Sequence, residues 1–283
     1  MITSKIKTID YKSDTAKSDF VTSLRDSGFA VFYNHPVDIN LINTVYDEWA
    51  SFFESDKKHD YLFDLEKQDG YFPIKSENAK NSKIKDIKEF FHIYLPWGRI
   101  PEDLKENTLK IREELKKVGI DLLKSIDDLT PDNIKQNFSM PLHDMIEKSE
   151  SNLLRIIHYP PLIDEKDDKQ AIRAAAHEDI NLITILISGS QPGLQVLTEE
   201  GEWAEVKSDP GWLVINIGDM LQECSKGHYP STTHRVVNPP IDSNESRFSM
   251  PLFLHPRDEV VLSEKYTAKS YLDERLKELG LRK

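Results

Sequence analysis

The residues His177, Asp179 and His234 have types and spacing that suit a metal site. In an extended segment, side chains at positions i and i+2 lie on the same face, so the His177 imidazole and the Asp179 carboxylate converge. Two histidines and one carboxylate suit non-haem Fe(II), because they occupy one face of an octahedron and leave three positions open. His-x-Asp alone is a weak signal in a chain with nine histidines and 49 acidic residues. The prediction of these three metal ligands therefore depends on the residues that follow.

Arg247 and Ser249 come after a turn-rich connection that begins at Asn238, in a segment that predicts a returning strand. Their spacing places both side chains on one face of that strand. A guanidinium presents a planar fork that matches a carboxylate, and a neighbouring hydroxyl can add a hydrogen bond. Without the metal motif, we would interpret Arg247 as an exposed residue of an edge strand. Combined with that motif, the pair predicts an anion receptor beside the metal.

The composition limits the possible partners of the chain. With 283 residues, 38% of them hydrophobic and 30% charged, the chain is typical of a globular protein with a core. The net charge of -12 disfavours nucleic acid and anionic membrane surfaces as partners. Cys224 is the single cysteine, which excludes an internal disulfide and suits a reducing compartment. The N-terminus lacks the apolar segment of a signal peptide, so a cytoplasmic location is expected.

Helical spacing dominates the first half of the chain. Ile42, Val45, Trp49 and Phe52 predict one amphipathic helix. A longer helix is predicted over about 102–128, with an apolar stripe of Leu104, Ile111, Leu115, Val118, Leu122 and Leu129.

Short β-prone runs separated by Gly, Pro, Asn and Asp follow from Leu153 to Leu262, which favours an antiparallel sandwich or barrel. The predicted strands are 28–33, 154–159, 182–187, 193–197, 212–217, 234–237 and 247–254. A C-terminal helix is predicted from Ala268 to Leu279. We expect one domain over residues 1–283, with a mostly helical region (1–150), a β core (151–262) and a C-terminal helix (263–283).

Several linked motifs in this order resemble the isopenicillin N synthase-like oxygenases. They cover most of the chain: Gly28-Phe-Ala-Val-Phe-Tyr-Asn-His35, Gly70-Tyr-Phe-Pro73, Asp86-Ile-Lys-Glu-Phe90, His177-x-Asp179, Gly193-Leu-Gln-Val196, Gly201-Glu-Trp203, Pro210 to Gln222, Tyr229 to Val236 and Arg247-Phe-Ser-Met-Pro-Leu-Phe253. The resemblance implies a mainly β fold with flanking helices, in which a double-stranded β-helix, or jelly roll, holds the metal between two sheets.

The resemblance also implies cofactors and their contacts. His177, Asp179 and His234 match the Fe(II) ligands of the family, and Arg247 with Ser249 matches the pair that binds the distal carboxylate of 2-oxoglutarate. Tyr159 matches a tyrosine that often adds a hydrogen bond to that carboxylate. Many members have Asn two residues before this Tyr, whereas this chain has Ile157, so one polar contact is missing or replaced.

The implied activity is that of a 2-oxoglutarate-dependent non-haem iron dioxygenase. Such an enzyme uses dioxygen to oxidise a small organic substrate and releases succinate and CO2, with hydroxylation as the default outcome and desaturation or ring closure as variants. Two alternatives stay open: an iron-dependent oxidase that does not use 2-oxoglutarate, and a catalytically silent jelly-roll binding protein. Tyr71, Phe90 and Phe91 lie where the substrate entrance is expected, but packing explains them equally well.

Overall fold

The computed structural model describes residues 6–76, 85–161, 172–239 and 244–278. Within these ranges the strands are β1 (Thr8–Asp10), β2 (Phe29–Tyr33), β3 (Gly70–Phe72), β4 (Glu89–Ile93), β5 (Leu153–Tyr159), β6 (Ala174–His177), β7 (Ile183–Ile187), β8 (Leu194–Leu197), β9 (Trp203–Glu205), β10 (Leu213–Ile217), β11 (His234–Val236) and β12 (Arg247–Leu254). The helices are α1 (Ala16–Ser27), α2 (Ile39–Glu54), α3 (Lys105–Leu129), α4 (Asp132–Lys135), α5 (Leu142–Met145), α6 (Asp219–Cys224) and α7 (Ala268–Glu278), with a 3-10 helix over Asp56–Tyr61.

The strands form two sheets. The larger has the order β1-β2-β10-β7-β12-β5-β4-β3, and the smaller has the order β6-β11-β8-β9. The pairs are antiparallel except for β1 with β2. The predicted mainly β fold with flanking helices and a jelly-roll core is confirmed.

The central strands β7 and β10 are buried on both faces, which explains why their sequences are apolar runs. Ile183, Ile185 and Ile187 of β7 face the main core under the helices. Leu186 packs against a second apolar group, here called the inner cluster, which draws side chains from both sheets. Its buried members are Phe29, Val31, Phe72, Phe90, Ile157, Tyr159, Ala174, Leu194, Val196, Val206, Val214 and Val236. The inner cluster therefore fills the space between the sheets.

Helix α3 covers the outer face of the large sheet. Residues of its predicted stripe are buried there, and Gly119 lets the helix approach closely, since an added Cβ would lie 2.9 Å from the Cδ1 atom of Ile185. Leu129 was wrongly placed in the stripe: it is 46% exposed, because α3 ends at this residue. The C-terminal helix begins at Ala268 as predicted, and residue 279, its predicted end, lies outside the described residues.

Strands from the first 150 residues extend the large sheet at both edges. β1 and β2 lie at one edge, and β3 and β4 at the other. The sequence predicted only the strand over 28–33 in this region, because the other three are short and show no clear alternation. Among the described residues, no helix is long and apolar enough to cross a membrane. The cytoplasmic location stays a prediction.

Candidate active site

The small sheet brings together the three residues that the sequence selected as metal ligands. His177 ends β6, His234 begins β11, and the two are direct register partners. The Nε2 atoms of both histidines lie 3.9 Å from the Oδ1 atom of Asp179. The three candidate ligand atoms all lie within 4.8 Å of one another. One ion can therefore contact all three side chains.

Hydrogen bonds orient each of these side chains. Nδ1 of His177 donates to the carbonyl oxygen of Ala175 at 2.8 Å, and Nδ1 of His234 donates to that of Thr232 at 3.1 Å. This tautomer leaves each Nε2 lone pair free for a metal. The histidine side chains differ in access, since that of His177 is 38% exposed and that of His234 only 9%. His177 therefore borders the open side of the site.

Asp179 is held by two polar residues of the large sheet. Its Oδ2 atom accepts hydrogen bonds from Thr184 Oγ1 at 2.5 Å and from Asn216 Nδ2 at 2.7 Å. The Oδ1 atom remains available to a metal, and such outer contacts fix the orientation of ligating groups. Sequence reasoning missed Thr184 and Asn216. The available signal was a polar residue within each of two otherwise apolar strands, β7 and β10.

The electrostatics favour the protonation states that a metal needs. Burial opposes ionisation of Asp179, but His234, His177 and the two hydrogen bonds to Oδ2 outweigh it and lower the pKa of this carboxyl. Partial burial and, after it, the nearby His234 lower the pKa of His177. A carboxylate and a neutral imidazole are the forms that bind metal, so the donor set fits Fe(II) as the sequence suggested.

A buried cation, Arg247, lies next to Tyr159 of the inner cluster. Arg247 is 3% exposed, pairs in register with Tyr159, and has its Cζ atom 5.1 Å from the centre of the Tyr159 ring. Its Nε donates to the carbonyl oxygen of Gln191 at 2.9 Å, while its buried Nη1 has no hydrogen-bond partner within the described part of the chain. Ser249, two residues on, is also 3% exposed. A buried guanidinium with an unused donor can form a charge-assisted hydrogen bond to an anion.

The sequence model of the 2OG-Fe(II) oxygenase superfamily matches residues 150–256, and that of the N-terminal region of non-haem dioxygenases in morphine synthesis matches residues 6–114. A structure from Caulobacter crescentus, described as a candidate member of the 2OG-Fe(II) oxygenase family, is 30% identical and has a TM-score of 0.78. The alignment covers 97% of this chain and 99% of that one. The chain belongs to the 2OG-Fe(II) oxygenase superfamily.

Two further relatives agree with this membership. A candidate oxygenase from Shewanella oneidensis is 51% identical, with a TM-score of 0.88 and coverage of 97% of this chain and 98% of that chain. Jasmonate-induced oxygenase 4 of Arabidopsis thaliana is 29% identical over 242 residues, which are 82% of this chain and 66% of the relative. The matches to three curated relatives span between 42% and 66% of their lengths. The predicted family is confirmed, and with it the cofactor class, Fe(II) and 2-oxoglutarate.

One departure from the usual pattern of this superfamily lies on β5, opposite Ser249. Ile157 faces Ser249 in register, is 7% exposed and belongs to the inner cluster. The position that is Asn in many members is therefore apolar here. His158 points the other way, and its ring stacks on Phe248 with centroids 4.6 Å apart.

The structure distinguishes Tyr71, Phe90 and Phe91, for which the sequence allowed either a position at the substrate entrance or a packing role. Phe90 belongs to the inner cluster and stacks on Phe72 with ring centroids 4.5 Å apart. Tyr71 and Phe91 instead pack in the main core. Of the three, only Phe90 lies on the side of the large sheet that faces the triad.

Proposed function

We propose that this chain is an Fe(II)- and 2-oxoglutarate-dependent oxygenase that hydroxylates a small organic substrate and releases succinate and CO2. His177, Asp179 and His234 are its metal ligands, while Arg247, Ser249 and Tyr159 bind the distal carboxylate of 2-oxoglutarate. The observation that carries the proposal is the His-Asp-His triad together with the buried Arg247, whose Nη1 has no hydrogen-bond partner within the described residues.

Each of these side chains has a defined task. The three ligands occupy one side of the metal and leave the other for cosubstrate, dioxygen and substrate. Arg247 offers its free Nη1 donor to a carboxylate, which fixes the direction in which the cosubstrate enters. The apolar side chains of the inner cluster, Phe90 and Phe72 among them, exclude water from the reacting atoms. When bound, iron and 2-oxoglutarate supply the oxidising power.

The extent of the enzyme domain is part of this proposal. Strands β1–β4 are hydrogen-bonded into the same large sheet as the strands of the core. This pairing supports a single domain for residues 1–283, although the first 150 residues are mostly helical.

The direct test is to load the purified protein anaerobically with Fe(II), titrate it with 2-oxoglutarate, and then admit dioxygen. We expect 2-oxoglutarate to bind, succinate and CO2 to form in equal amounts, and the correct substrate to accelerate both. A metal-loaded protein that fails to bind 2-oxoglutarate would instead favour the oxidase alternative. Binding without succinate across a broad substrate panel would favour the silent binding protein. Product analysis separates hydroxylation from desaturation and ring closure.

A further inference from the structure

A second buried arginine lies close to Arg247. Arg173 stands one residue before β6, four residues before His177, and is 0% exposed. Its Nη2 atom donates to the carbonyl oxygen of Glu245 at 2.5 Å. Its Nε and Nη1 atoms are buried and have no hydrogen-bond partner within the described part of the chain. Sequence reasoning passed over this residue, because it belongs to none of the motifs considered.

Arg173 and Arg247 share one aromatic neighbour. The Cζ atoms of Arg173 and Arg247 lie 6.0 Å and 5.1 Å from the centre of the Tyr159 ring. Glu245, whose carbonyl anchors Arg173, is only two residues before Arg247. The Glu245 carboxylate accepts an exposed hydrogen bond from the Gln191 side chain, and within the described part of the chain no ion pair joins it to either arginine. Both guanidiniums therefore lie close to the Tyr159 ring.

Within the described residues neither arginine has a carboxylate partner, and two buried cations in that situation are costly in a folded protein. Taking a charge out of water is unfavourable unless an opposite charge or hydrogen bonds compensate for it. Burial and, after it, the charge of Arg247 lower the pKa of Arg173 to about 10, so this guanidinium is still protonated at neutral pH. A bound anion would use the free Nη1 atoms of both arginines and reduce the repulsion between them.

We propose that Arg173 is a second anion-binding residue of the cosubstrate pocket, which receives the distal carboxylate of 2-oxoglutarate together with Arg247. This inference rests on the proposed function, since it assumes that 2-oxoglutarate enters this pocket. The hydrogen bond from Arg173 to Glu245 holds Arg173 near Arg247, the proposed receptor of the distal carboxylate. The distal carboxylate is therefore favoured as the ligand of Arg173 over an anionic group of the substrate. The neighbouring wall at Ile157 is apolar and offers no competing donor.

The test is a comparison of two ligands in the anaerobic, Mn(II)-loaded protein by calorimetric titration. 2-Oxoglutarate carries the distal carboxylate, whereas 2-oxopentanoate has the same chelating end with a methyl group instead. We expect Arg173→Leu to weaken 2-oxoglutarate binding by about 10- to 100-fold, as for the loss of a charge-assisted hydrogen bond. Binding of 2-oxopentanoate should hardly change. The loss of discrimination between the two ligands measures the contact itself.

Arg112→Leu is a matched control. Arg112 is also buried, at 4% exposed, donates to the carbonyl oxygen of Asn152, and has a buried Nε without a partner, but it lies on α3, away from the pocket. This variant should lose stability without any change in ligand discrimination. Arg173→Lys, which keeps the charge and loses the planar fork, guards against misfolding of Arg173→Leu. It should bind 2-oxoglutarate several-fold more weakly than the wild type.

Each outcome has a distinct meaning. Equal weakening of both ligands in Arg173→Leu would show that the residue only supports the fold. Unchanged 2-oxoglutarate binding in Arg173→Leu, or in Arg173→Lys if the first variant does not fold, would overturn the inference. If 2-oxoglutarate binding is unchanged but the apparent KM for an anionic substrate rises, Arg173 serves the substrate instead. If the wild type does not bind 2-oxoglutarate, the proposed function itself fails.

Discussion

The hydrogen bond from Thr184 to Asp179 should contribute directly to metal affinity. Thr184→Val removes the hydroxyl that donates to Oδ2 at 2.5 Å and leaves the shape of the side chain almost unchanged. A hydrogen bond to a charged group contributes roughly 1.5–3 kcal/mol, which corresponds to about 10- to 100-fold in an equilibrium constant. Asn216 continues to hold the same oxygen at 2.7 Å. We therefore expect the low end of that range, about a 10-fold weaker affinity for Fe(II) or Mn(II).

The assay is anaerobic metal titration, with thermal unfolding of the metal-free protein measured in parallel. Thr108→Val is the control, because Thr108 is equally buried and accepts a hydrogen bond from Trp49 Nε1 at 3.0 Å, on the helical side of the large sheet. Both variants should lose on the order of 1 kcal/mol of unfolding free energy. Only Thr184→Val should lose metal affinity. Equal metal affinity in Thr184→Val and wild type would refute the idea that Thr184 orients the carboxylate.

Three other predictions test the site. His234→Ala should abolish metal binding and turnover while the fold survives, whereas His228→Ala, outside the site, should change neither; retained metal in the His234 variant would exclude it as a ligand. Arg247→Leu should weaken 2-oxoglutarate binding by about 2–5 kcal/mol without loss of metal, and Ser249→Ala by less; calorimetry showing wild-type affinity would contradict this. Metal affinity should weaken as the pH is lowered, because protons compete with the metal for the imidazoles. The lowered pKa of His177 shifts the contribution of this residue to a pH below the usual histidine value of about 6.5. Titrations that show no dependence on pH would argue against histidine ligation.

Much of the β core could be predicted from local patterns. The predicted strands over 154–159, 212–217 and 247–254 agree with β5, β10 and β12 to within one residue. Each is a β-prone run bounded by turn residues, and such runs need little help from the rest of the chain to become strands. Strands β3, β4 and β6 were not predicted as strands, because they are short and depend on neighbours that are distant in sequence.

The sequence by itself predicted the type of site. An iron site and an anion receptor were predicted from the order and spacing of His177, Asp179, His234 and Arg247 within predicted strands. This was possible because the two-residue period of a strand decides which side chains share a face. Local spacing does not account for the proximity of His177 and His234. Their proximity results from the pairing of β6 with β11, in which the two histidines are 57 residues apart in the chain.

Only the tertiary structure decided which other residues serve the site. Thr184 and Asn216 reach Asp179 from the large sheet, and Arg173, just before β6, lies near the same Tyr159 ring as Arg247. No local spacing relates these residues, because they come together through the packing of one sheet on the other. Contacts of this kind depend on distances in space, and these distances cannot be read from the spacing of residues along the sequence.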